Sequence, residues 1–476
     1  MKHKRAILWF RNDLRLHDHE ALAKALDQSE ALIPVYCLDP RLLEQGMFGL
    51  PRIGSHRLHF LLESLADLQA SLRARGADLA VLVARPEEAL PRLAGETGAT
   101  AVFAHKEAAT EELAVEAALE QALFRRGIPL NLYWGSTLHH LEDLPMPVQA
   151  LPEVFTQYRK QAEKFVQVRR CYPVPRSIPY AAIDAPDWPT PASLGHAQPQ
   201  SDARAVLPFR GGETAALERL AHYFWQTDSL RNYKETRNGL LGADYSSKFS
   251  PWLALGCISP RQIYTEVQRY ERERKKNDST YWLIFELIWR DYFRFIAYKH
   301  GNRIFLPGGI RQATDAQPGN PHMEHFDRWV NGNTGMPFVD ANMRELLATG
   351  FMSNRGRQNV ASFLVHDLGL DWRMGAAWFE AALIDYDVCS NWCNWNYVAG
   401  VGNDPRENRY FHVLSQARRY DPRGEYVRHW LPELAALPGA TIHAPYELHA
   451  RELASFGVKL GATYPHLLVI PGRQTA

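Results

Sequence analysis

Four side chains that could bind a flat heterocycle lie at helical spacing between residues 286 and 293. Glu286, Trp289, Arg290 and Phe293 follow the i, i+3, i+4, i+7 spacing that places side chains on one face of a helix. An acid, an indole and a guanidinium on an apolar stripe are costly to bury unless each has a partner. Two interpretations are open: a Glu286–Arg290 ion pair on a solvated edge, or a platform on which Trp289 stacks against a ring and Glu286 hydrogen-bonds to its edge.

A second cluster combines hydroxyl groups with a lysine. Tyr233 is followed by the run YSSKFS at residues 245–250. Hydroxyls and a lysine before the start of a helix can hold a pyrophosphate through side chains and backbone N–H groups. Ser-rich turns more often only cap helices, so both interpretations are open for this cluster.

A third cluster runs from Asn354 to Tyr397 and holds arginines, aspartates and aromatic residues in apolar surroundings. We predict a buried ion pair between Arg357 and Asp385, an arrangement that would place charge beside a redox ring. Cys389 and Cys393 have no His or further Cys at metal-ligand spacing, so we interpret them as packing residues and expect no metal site.

The first 135 residues alternate strand and helix patterns. The clearest helix pattern runs from Ser55, a candidate N-cap, to Arg75. Short β-rich runs lie at Ala6–Phe10, Ala31–Leu38, Leu79–Val83, Ala101–Ala104 and Leu130–Trp134. This alternation predicts a five-stranded parallel sheet with helices on both faces. The turn at residues 11–15 after the first strand has no glycine, and no GxxxxGK[ST] occurs, which argues against an NAD or ATP site.

The remaining chain divides into two parts. Eight of the 30 prolines fall between Pro173 and Pro208, so we interpret residues 136–210 as a linker over the surface. Residues 211–476 read as a helical domain that carries most of the 13 tryptophans, typical of a well-filled core or of a large aromatic ligand. The helix patterns lie near 213–226, 260–275, 280–299, 339–349, 356–368 and 373–386.

Composition limits the class of protein. The 476 residues carry 54 Lys and Arg against 53 Asp and Glu, a net charge of +1, so a nucleic-acid site must be a local basic patch. The hydrophobic content of 46% is that of a globular protein. Five scattered cysteines, no apolar run of membrane length and no signal-peptide core lead us to expect a reduced, cytoplasmic, monomeric protein.

Five long motifs in one order resemble the photolyase/cryptochrome family over nearly the whole chain. They are WFRNDLRLHD (9–18), YSSKFSPWLALGCISPR (245–261), ELIWRDYFR (286–294), MSNRGRQNVASFL (352–364) and LIDYDVCSNWCNW (383–395). The segments LPEVFTQYRK (151–160) and YKETRNGLLGADYSSKFS (233–250) resemble the DASH cryptochrome branch. The resemblance implies an N-terminal α/β antenna-binding domain and a C-terminal helical domain that holds FAD.

The resemblance also implies roles for individual residues. The flavin phosphates and ribityl chain would be held by Tyr233, Ser246, Ser247, Lys248, Phe249 and Ser250. The ring and ribose would be surrounded by Asn354, Arg357, Asp385, Asp387 and Asn391. Asn391 falls where the family contacts flavin N5, and an amide there hydrogen-bonds without supplying a proton. Arg357 would stabilise the reduced flavin.

A DNA-lesion pocket follows from the same resemblance. It would be lined by Glu286, Trp289, Arg290, Asn354, Arg355, Gln358 and Tyr397. Gln358 and Tyr397 stand where duplex-active photolyases usually carry methionine and tryptophan, and thinner packing there leaves too little energy to extrude a dimer from a duplex. The (6-4) photolyases place histidines near 353–358, where this chain has Ser353, Asn354 and Gln358, so (6-4) repair is not expected.

Two further features of the family, the antenna site and the photoreduction chain, match this sequence less completely. Glu107 falls where DASH proteins contact a 5,10-methenyltetrahydrofolate antenna, and Lys299 is expected on the domain rim. In the photoreduction chain of three tryptophans, Trp395 and Trp372 match the first two. The third position falls on Gly319, which carries no aromatic ring.

The resemblance implies a light-driven enzyme that repairs cyclobutane pyrimidine dimers, preferentially in single-stranded DNA, by electron transfer from photoexcited reduced FAD. The alternative is a blue-light photoreceptor that binds DNA or a partner without repair. Signalling cryptochromes usually carry a long polar tail, and its absence before Ala476 favours the enzyme. A duplex photolyase would differ at residues 358 and 397.

Overall fold

A computed structural model describes residues 2–313, 322–405 and 409–472. Five short apolar strands form one parallel sheet in the order β3-β2-β1-β4-β5. Their bounds are β1 (Ala6–Phe10), β2 (Leu32–Leu38), β3 (Ala80–Val83), β4 (Val102–His105) and β5 (Leu130–Tyr133). All residues of β1 and β2 are buried, as expected for central parallel strands with helices on both faces. The predicted α/β class is confirmed, and the strand bounds agree to within one residue.

The helices between the strands are α1 (Glu20–Gln28), α2 (Ser55–Arg73), α3 (Pro86–Thr97) and α4 (Thr110–Phe124). The N-cap of α2 is Gly54, so the prediction that Ser55 caps this helix is wrong. The Gly54 N–H donates to the Ala381 carbonyl at 2.8 Å, and a Cβ at residue 54 would lie 2.7 Å from that oxygen. Glycine at this position therefore lets α2 approach the helical half closely.

Most of the linker is irregular, as the prolines predict. Between residues 173 and 208 the only helical element is a short 3₁₀ turn at Ala192–Leu194. Residues 136–210 also contain a helix that the linker interpretation did not anticipate, α5 (Phe155–Phe165). The Phe155 ring at its start packs face to face on Trp289, which ties this segment to the helical half.

The second half of the chain is helical. Its helices are α6 (Glu213–Ala221), α7 (Tyr233–Thr236), α8 (Ser250–Ala254), α9 (Pro260–Glu273), α10 (Asp278–His300), α11 (Met323–Val330), α12 (Pro337–Thr349), α13 (Asn354–Ser362), α14 (Trp372–Ala382), α15 (Val388–Val398), α16 (Val413–Tyr420), α17 (Glu425–Trp430) and α18 (Ala450–Ser455). All six predicted helices are present. Those predicted to end at 226 and 368 finish in π-helical turns, His222–Gln226 and Phe363–Asp367. The six helix patterns had not indicated α7, α8, α11 or α15–α18.

Helices α10 and α14 each pack against α15 in the helical half. In the described ranges, no helix has the length and apolar character needed to cross a membrane.

Candidate active site

A deep cavity opens between α7, α8, α10, α13 and α15. Its volume is about 340 Å³, which lies within the roughly 300–1,000 Å³ of pockets for drug-sized ligands. Fifteen of the predicted site residues line it: Tyr233, Ser246, Ser247, Lys248, Phe249, Ser250, Glu286, Arg290, Asn354, Arg357, Gln358, Asp385, Asp387, Asn391 and Trp395. Five others lie outside the lining: Glu107, Trp289, Arg355, Trp372 and Tyr397.

The turn at residues 245–250 forms one wall and is held from behind by a buried arginine. Arg219 on α6 donates to the carbonyls of Ser246 and Ser247, both at 3.0 Å. Lys248 is buried with a positive φ of 55°, and its Nζ donates to the carbonyls of Gly242 and Ala243 at 3.1 and 2.8 Å. Burial and the nearby Arg219 guanidinium lower the pKa of Lys248 to about 6.

The low pKa of Lys248 leads to a prediction of how ligand binding depends on pH. A lysine with a pKa near 6 is neutral above that pH, and a bound diphosphate would raise its pKa, so binding takes up a proton. We expect the affinity for a diphosphate-containing cofactor to fall by up to about tenfold per pH unit between pH 6.5 and 8.5. Titrations over this range check it.

The variant Lys248→Gln should remove most of this slope. Lys234→Gln is the matched control, because Lys234 lies outside the cavity lining and pairs with Asp278 at 2.7 Å. A slope that persists in Lys248→Gln would assign the proton to another group.

The predicted ion pair between Arg357 and Asp385 is confirmed. One guanidinium nitrogen, Nη2, donates to both carboxylate oxygens of Asp385, at 2.7 and 3.0 Å, while Nε donates to the Met352 carbonyl at 2.9 Å. The Asp385 side chain is 1% exposed. A carboxylate so deeply buried is stable only with such a partner, and the pair brings a fixed positive charge to the cavity wall.

Asp387 begins α15 and sets the position of the side chains that follow it. Its Oδ1 accepts from the Ser390 N–H at 2.8 Å, an N-cap bond. One turn later Asn391 reaches the cavity, where its amide nitrogen donates to the Ala376 carbonyl at 3.0 Å. Burial acts to raise the pKa of Asp387, but Arg294 and Arg290 outweigh it and hold that pKa below its usual range.

Glu286 pairs with an arginine that the helical spacing did not indicate. Its carboxylate accepts from Arg237 Nη1 at 2.5 Å, whereas Arg290 donates to the carbonyls of Ser136 and Leu253. The Glu286–Arg290 pair is therefore not formed. Burial raises the pKa of Glu286 against the influence of Arg237.

Trp289 does not form a wall of the cavity. Its ring stacks on Phe155, with centroids 3.5 Å apart and planes inclined by 13°, and packs edge-on against Tyr397. One face of Trp289 is thus covered by a side chain of α5, and its role as a stacking platform stays a prediction. Spacing along one helix could not reveal a partner from the linker.

The mouth of the cavity carries a cluster of arginines. Arg355 donates to Gln358 Oε1 at 2.7 Å and to Asn238 Oδ1 at 2.8 Å, and its guanidinium lies 4.2 Å from the ring centre of Tyr420. Burial lowers the pKa of Arg355, and the charges of Arg237, Arg419 and Arg409 lower it further. Of these four arginines Arg237 lines the cavity, so positive charge collects near it despite the net charge of +1.

The two tryptophans matched to the photoreduction chain contact different aromatic neighbours, Trp395 packing against Trp329 and Trp372 against Trp392. Trp395 lines the cavity and fits against Gly375, where a Cβ would lie 2.1 Å from the indole. Trp372 packs edge-on against Trp392 with centroids 5.9 Å apart. The Trp392 Nε1–H donates to the Tyr386 hydroxyl at 3.2 Å, and Tyr386 itself lines the cavity. The position predicted for the third tryptophan, Gly319, lies outside the described residues.

Glu107 lies at the carboxyl end of β4, beside the turn that follows β1. This is the switch point of the sheet, where parallel α/β sheets bind ligands. The side chain is buried and accepts from Asn12 Nδ2 at 3.0 Å. The rim residue Lys299 donates to the Leu151 carbonyl at 2.8 Å and pairs with Glu153.

Several cavity residues carried no signal in the sequence patterns. They are Arg237, Leu253, Leu283, Phe379, Tyr386 and Asn394. Arg237 lies only four residues after Tyr233, one turn along the chain, and that spacing could have indicated it. Cys389 and Cys393 are both buried and free. Over the described ranges, no three His, Cys, Asp or Glu side chains converge as metal ligands.

Comparison with known protein families agrees with this geometry. Residues 6–179 match the family model "DNA photolyase", and residues 282–474 match "FAD binding domain of DNA photolyase". The sheet domain, the helical domain and the cavity define a photolyase-type flavoprotein, with FAD as its cofactor. The chain belongs to the photolyase/cryptochrome family.

Individual relatives place the chain within that family. It is 55% identical to a cryptochrome DASH of Gloeobacter violaceus over 98% of this chain and 94% of the relative, and 53% identical to a Synechocystis cryptochrome DASH over 98% and 95%. The crystal structure of a Synechocystis cryptochrome superimposes with a TM-score of 0.95 at 52% identity, covering 99% and 98% of the two chains. The crystal structure of a class III photolyase from Agrobacterium tumefaciens superimposes with a TM-score of 0.84 at 30% identity, covering 99% of this chain and 95% of that one. These relatives assign the chain to the cryptochrome DASH branch.

Proposed function

We propose that this protein repairs cyclobutane pyrimidine dimers in a light-driven reaction, preferentially in single-stranded DNA. The observation that carries the proposal is one continuous cavity. Its lining includes the Arg357–Asp385 pair and Asn391, and it also includes Glu286, which pairs with Arg237. A single cavity that takes both the cofactor and the substrate would bring them into contact, as electron transfer between the two requires.

The donor set of the cavity fits FAD. The hydroxyl-rich turn with Lys248 suits the diphosphate, whereas the carboxylates of Asp385 and Asp387 suit ribose and ring N–H donors. The residues proposed to hold FAD are Tyr233, Ser246, Ser247, Lys248, Phe249, Ser250, Asn354, Arg357, Asp385, Asp387 and Asn391. When bound, FAD absorbs the light and supplies the electron that splits the dimer.

The protein's own groups bind and orient the substrate. The arginines at the mouth attract phosphates, and Glu286 offers a carboxyl group to the edge of a pyrimidine. Because Arg237 holds this carboxylate at 2.5 Å in the structure, a DNA phosphate that attracts Arg237 would free Glu286 for the base. Apolar lining residues such as Leu283, Leu287 and Met352 exclude water around the flipped dimer.

The preference for single strands rests on Gln358 and Tyr397. Flipping a dimer out of a duplex costs a few kcal/mol, and tight apolar contacts around the dimer would offset that cost. The Gln358 amide oxygen is engaged by Arg355, and Tyr397 lies outside the cavity lining beside Trp289. Neither side chain supplies such a contact.

Changing both residues should improve duplex repair. We expect Gln358→Met with Tyr397→Trp to raise the rate of dimer repair in a duplex about tenfold, the equivalent of about 1.4 kcal/mol of added apolar contact. The Met substitution also releases Arg355 for a phosphate. The repair rate on the single strand serves as the internal control. An unchanged ratio between the two substrates would show that these residues do not set the preference.

The direct test of the proposed activity compares light with darkness. A single-stranded oligonucleotide with one dimer is incubated with the protein, its flavin chemically reduced beforehand, under blue or UV-A light and in the dark. We expect loss of the dimer in the light only. No loss in either condition would contradict the enzyme and favour the photoreceptor.

We also propose that the crevice at Glu107 binds 5,10-methenyltetrahydrofolate as an antenna. A buried carboxylate at the switch point suits the amino and ring N–H donors of a pterin. Glu107→Gln should reduce the near-UV absorbance that reconstitution with this folate adds.

A further inference from the structure

Arg294 connects two sites that lie in different halves of the chain. It belongs to α10, its side chain is 4% exposed, and it contacts one carboxylate on either side. Nη1 lies 3.5 Å from Glu107 Oε2, and Nη2 donates to Asp387 Oδ2. A guanidinium buried this deeply needs opposite charge, and the two carboxylates provide it from the crevice and from the cavity wall.

The carboxylate at each end of this chain of contacts also contacts residues of one of the two proposed binding sites. Glu107 accepts from Asn12 in the turn after β1, and its backbone N–H donates to Glu116 at 2.8 Å. Asp387 lines the cavity and caps α15, the helix that carries Asn391 and Trp395. A shift of Arg294 therefore moves the carboxylate that fixes the start of α15.

Arg294 is one of several charged groups here, since Arg11 and His105 also act on Glu107 and Asp291 acts on Arg294. Glu107 and Asp387 contribute two negative charges, and Arg294 contributes one positive charge, with Arg290 adding a second at 3.9 Å from Asp387. The Arg294 Nε has no hydrogen-bond partner among the described residues, so the position of the guanidinium group depends on its two Nη groups. Loss of the Glu107 charge removes one of two anchor points and lets the guanidinium rotate about the other.

We propose that Arg294 is a positioning residue that couples the crevice at Glu107 to the FAD cavity, so that a ligand contacting Glu107 changes the affinity for FAD. The coupling is reciprocal, so bound FAD changes the affinity of the crevice by the same factor. The inference rests on the proposed position of FAD in the cavity. The contacts within the protein hold whether or not that position is right.

A double-mutant cycle tests the coupling without any repair assay. The variants are Glu107→Gln, Arg294→Lys and the two combined. Lysine keeps the positive charge, so the protein folds, but a single ammonium cannot span two carboxylates as the guanidinium fork does. Asp13→Asn is the matched control, since Asp13 is a buried carboxylate of the same domain that pairs with His19 instead.

Two quantities are measured for each protein: the dissociation constant of FAD after removal of the flavin, and hydrogen–deuterium exchange of residues 388–395. We expect Glu107→Gln to weaken FAD binding about three- to tenfold and to speed exchange at the start of α15. The combined variant should bind FAD no less tightly than the single variant with the lower affinity for FAD. Asp13→Asn should leave both quantities unchanged.

Multiplicative effects of the two changes, or an effect of Asp13→Asn as large as that of Glu107→Gln, would overturn the proposal. The exchange measurement on flavin-free protein separates the positioning role of Arg294 from its coupling to FAD binding. Coupled exchange without coupled FAD affinity would refute the proposed coupling to FAD binding, and uncoupled exchange would refute the role of Arg294.

Discussion

The variant Arg357→Ala is expected to purify with FAD in fewer than about one tenth of its molecules. The change removes the guanidinium that holds Asp385, and a carboxylate 1% exposed is then buried without a partner. Breaking a buried pair in this way costs about 3–5 kcal/mol. The measurements are the flavin-to-protein absorbance ratio and the free energy of unfolding. A variant that keeps full FAD occupancy would contradict the role given to this pair.

A second variant separates cofactor binding from folding. Arg357→Met combined with Asp385→Asn removes both charges, so no carboxylate remains buried alone and stability should largely recover. The FAD occupancy should stay low, because the cavity has lost both groups proposed to face the flavin. Recovery of FAD together with stability would mean that the pair serves the fold alone.

The second large effect concerns Glu286. We expect Glu286→Gln to lower the rate of dimer repair about 10- to 100-fold while FAD occupancy stays unchanged. The loss corresponds to a charge-assisted hydrogen bond of about 1.5–3 kcal/mol to the pyrimidine. Repair is measured with the flavin chemically reduced beforehand, so that slow photoreduction does not limit the rate.

The control for Glu286 is Glu235→Gln. Glu235 lies on the neighbouring helix α7, where it accepts from Ser279 Oγ at 2.8 Å and does not line the cavity. Its substitution should leave repair unchanged. Equal losses in both variants would assign the effect to general charge at the mouth of the cavity rather than to contact with the dimer.

The strands and the longer helices were predictable because they leave local patterns. The short apolar runs of the strands and the buried leucines of α2 involve residues only a few positions apart. The Arg357–Asp385 pair was also predicted, from arginines and aspartates that lie in one apolar part of the sequence. Short helices such as α17 leave too few turns for a periodic signal.

Partners from distant segments could not be predicted in this way. Arg294 is separated from Glu107 by 187 positions and from Asp387 by 93, and only the folded chain brings the three together. The stacking of Phe155 on Trp289 has the same origin, because it joins α5 to α10. Helical spacing grouped Glu286 with Arg290, and both line the cavity, but one of its two interpretations, the Glu286–Arg290 ion pair, is not formed.

The most direct test of the account measures repair of one dimer-containing oligonucleotide as a single strand and as a duplex. The flavin is reduced beforehand, and both substrates receive the same light. The account predicts rapid repair of the single strand and at least tenfold slower repair of the duplex, since the cost of flipping falls on the duplex alone. Equal rates on the two substrates would contradict the proposed preference, and no repair of either would contradict the proposed function.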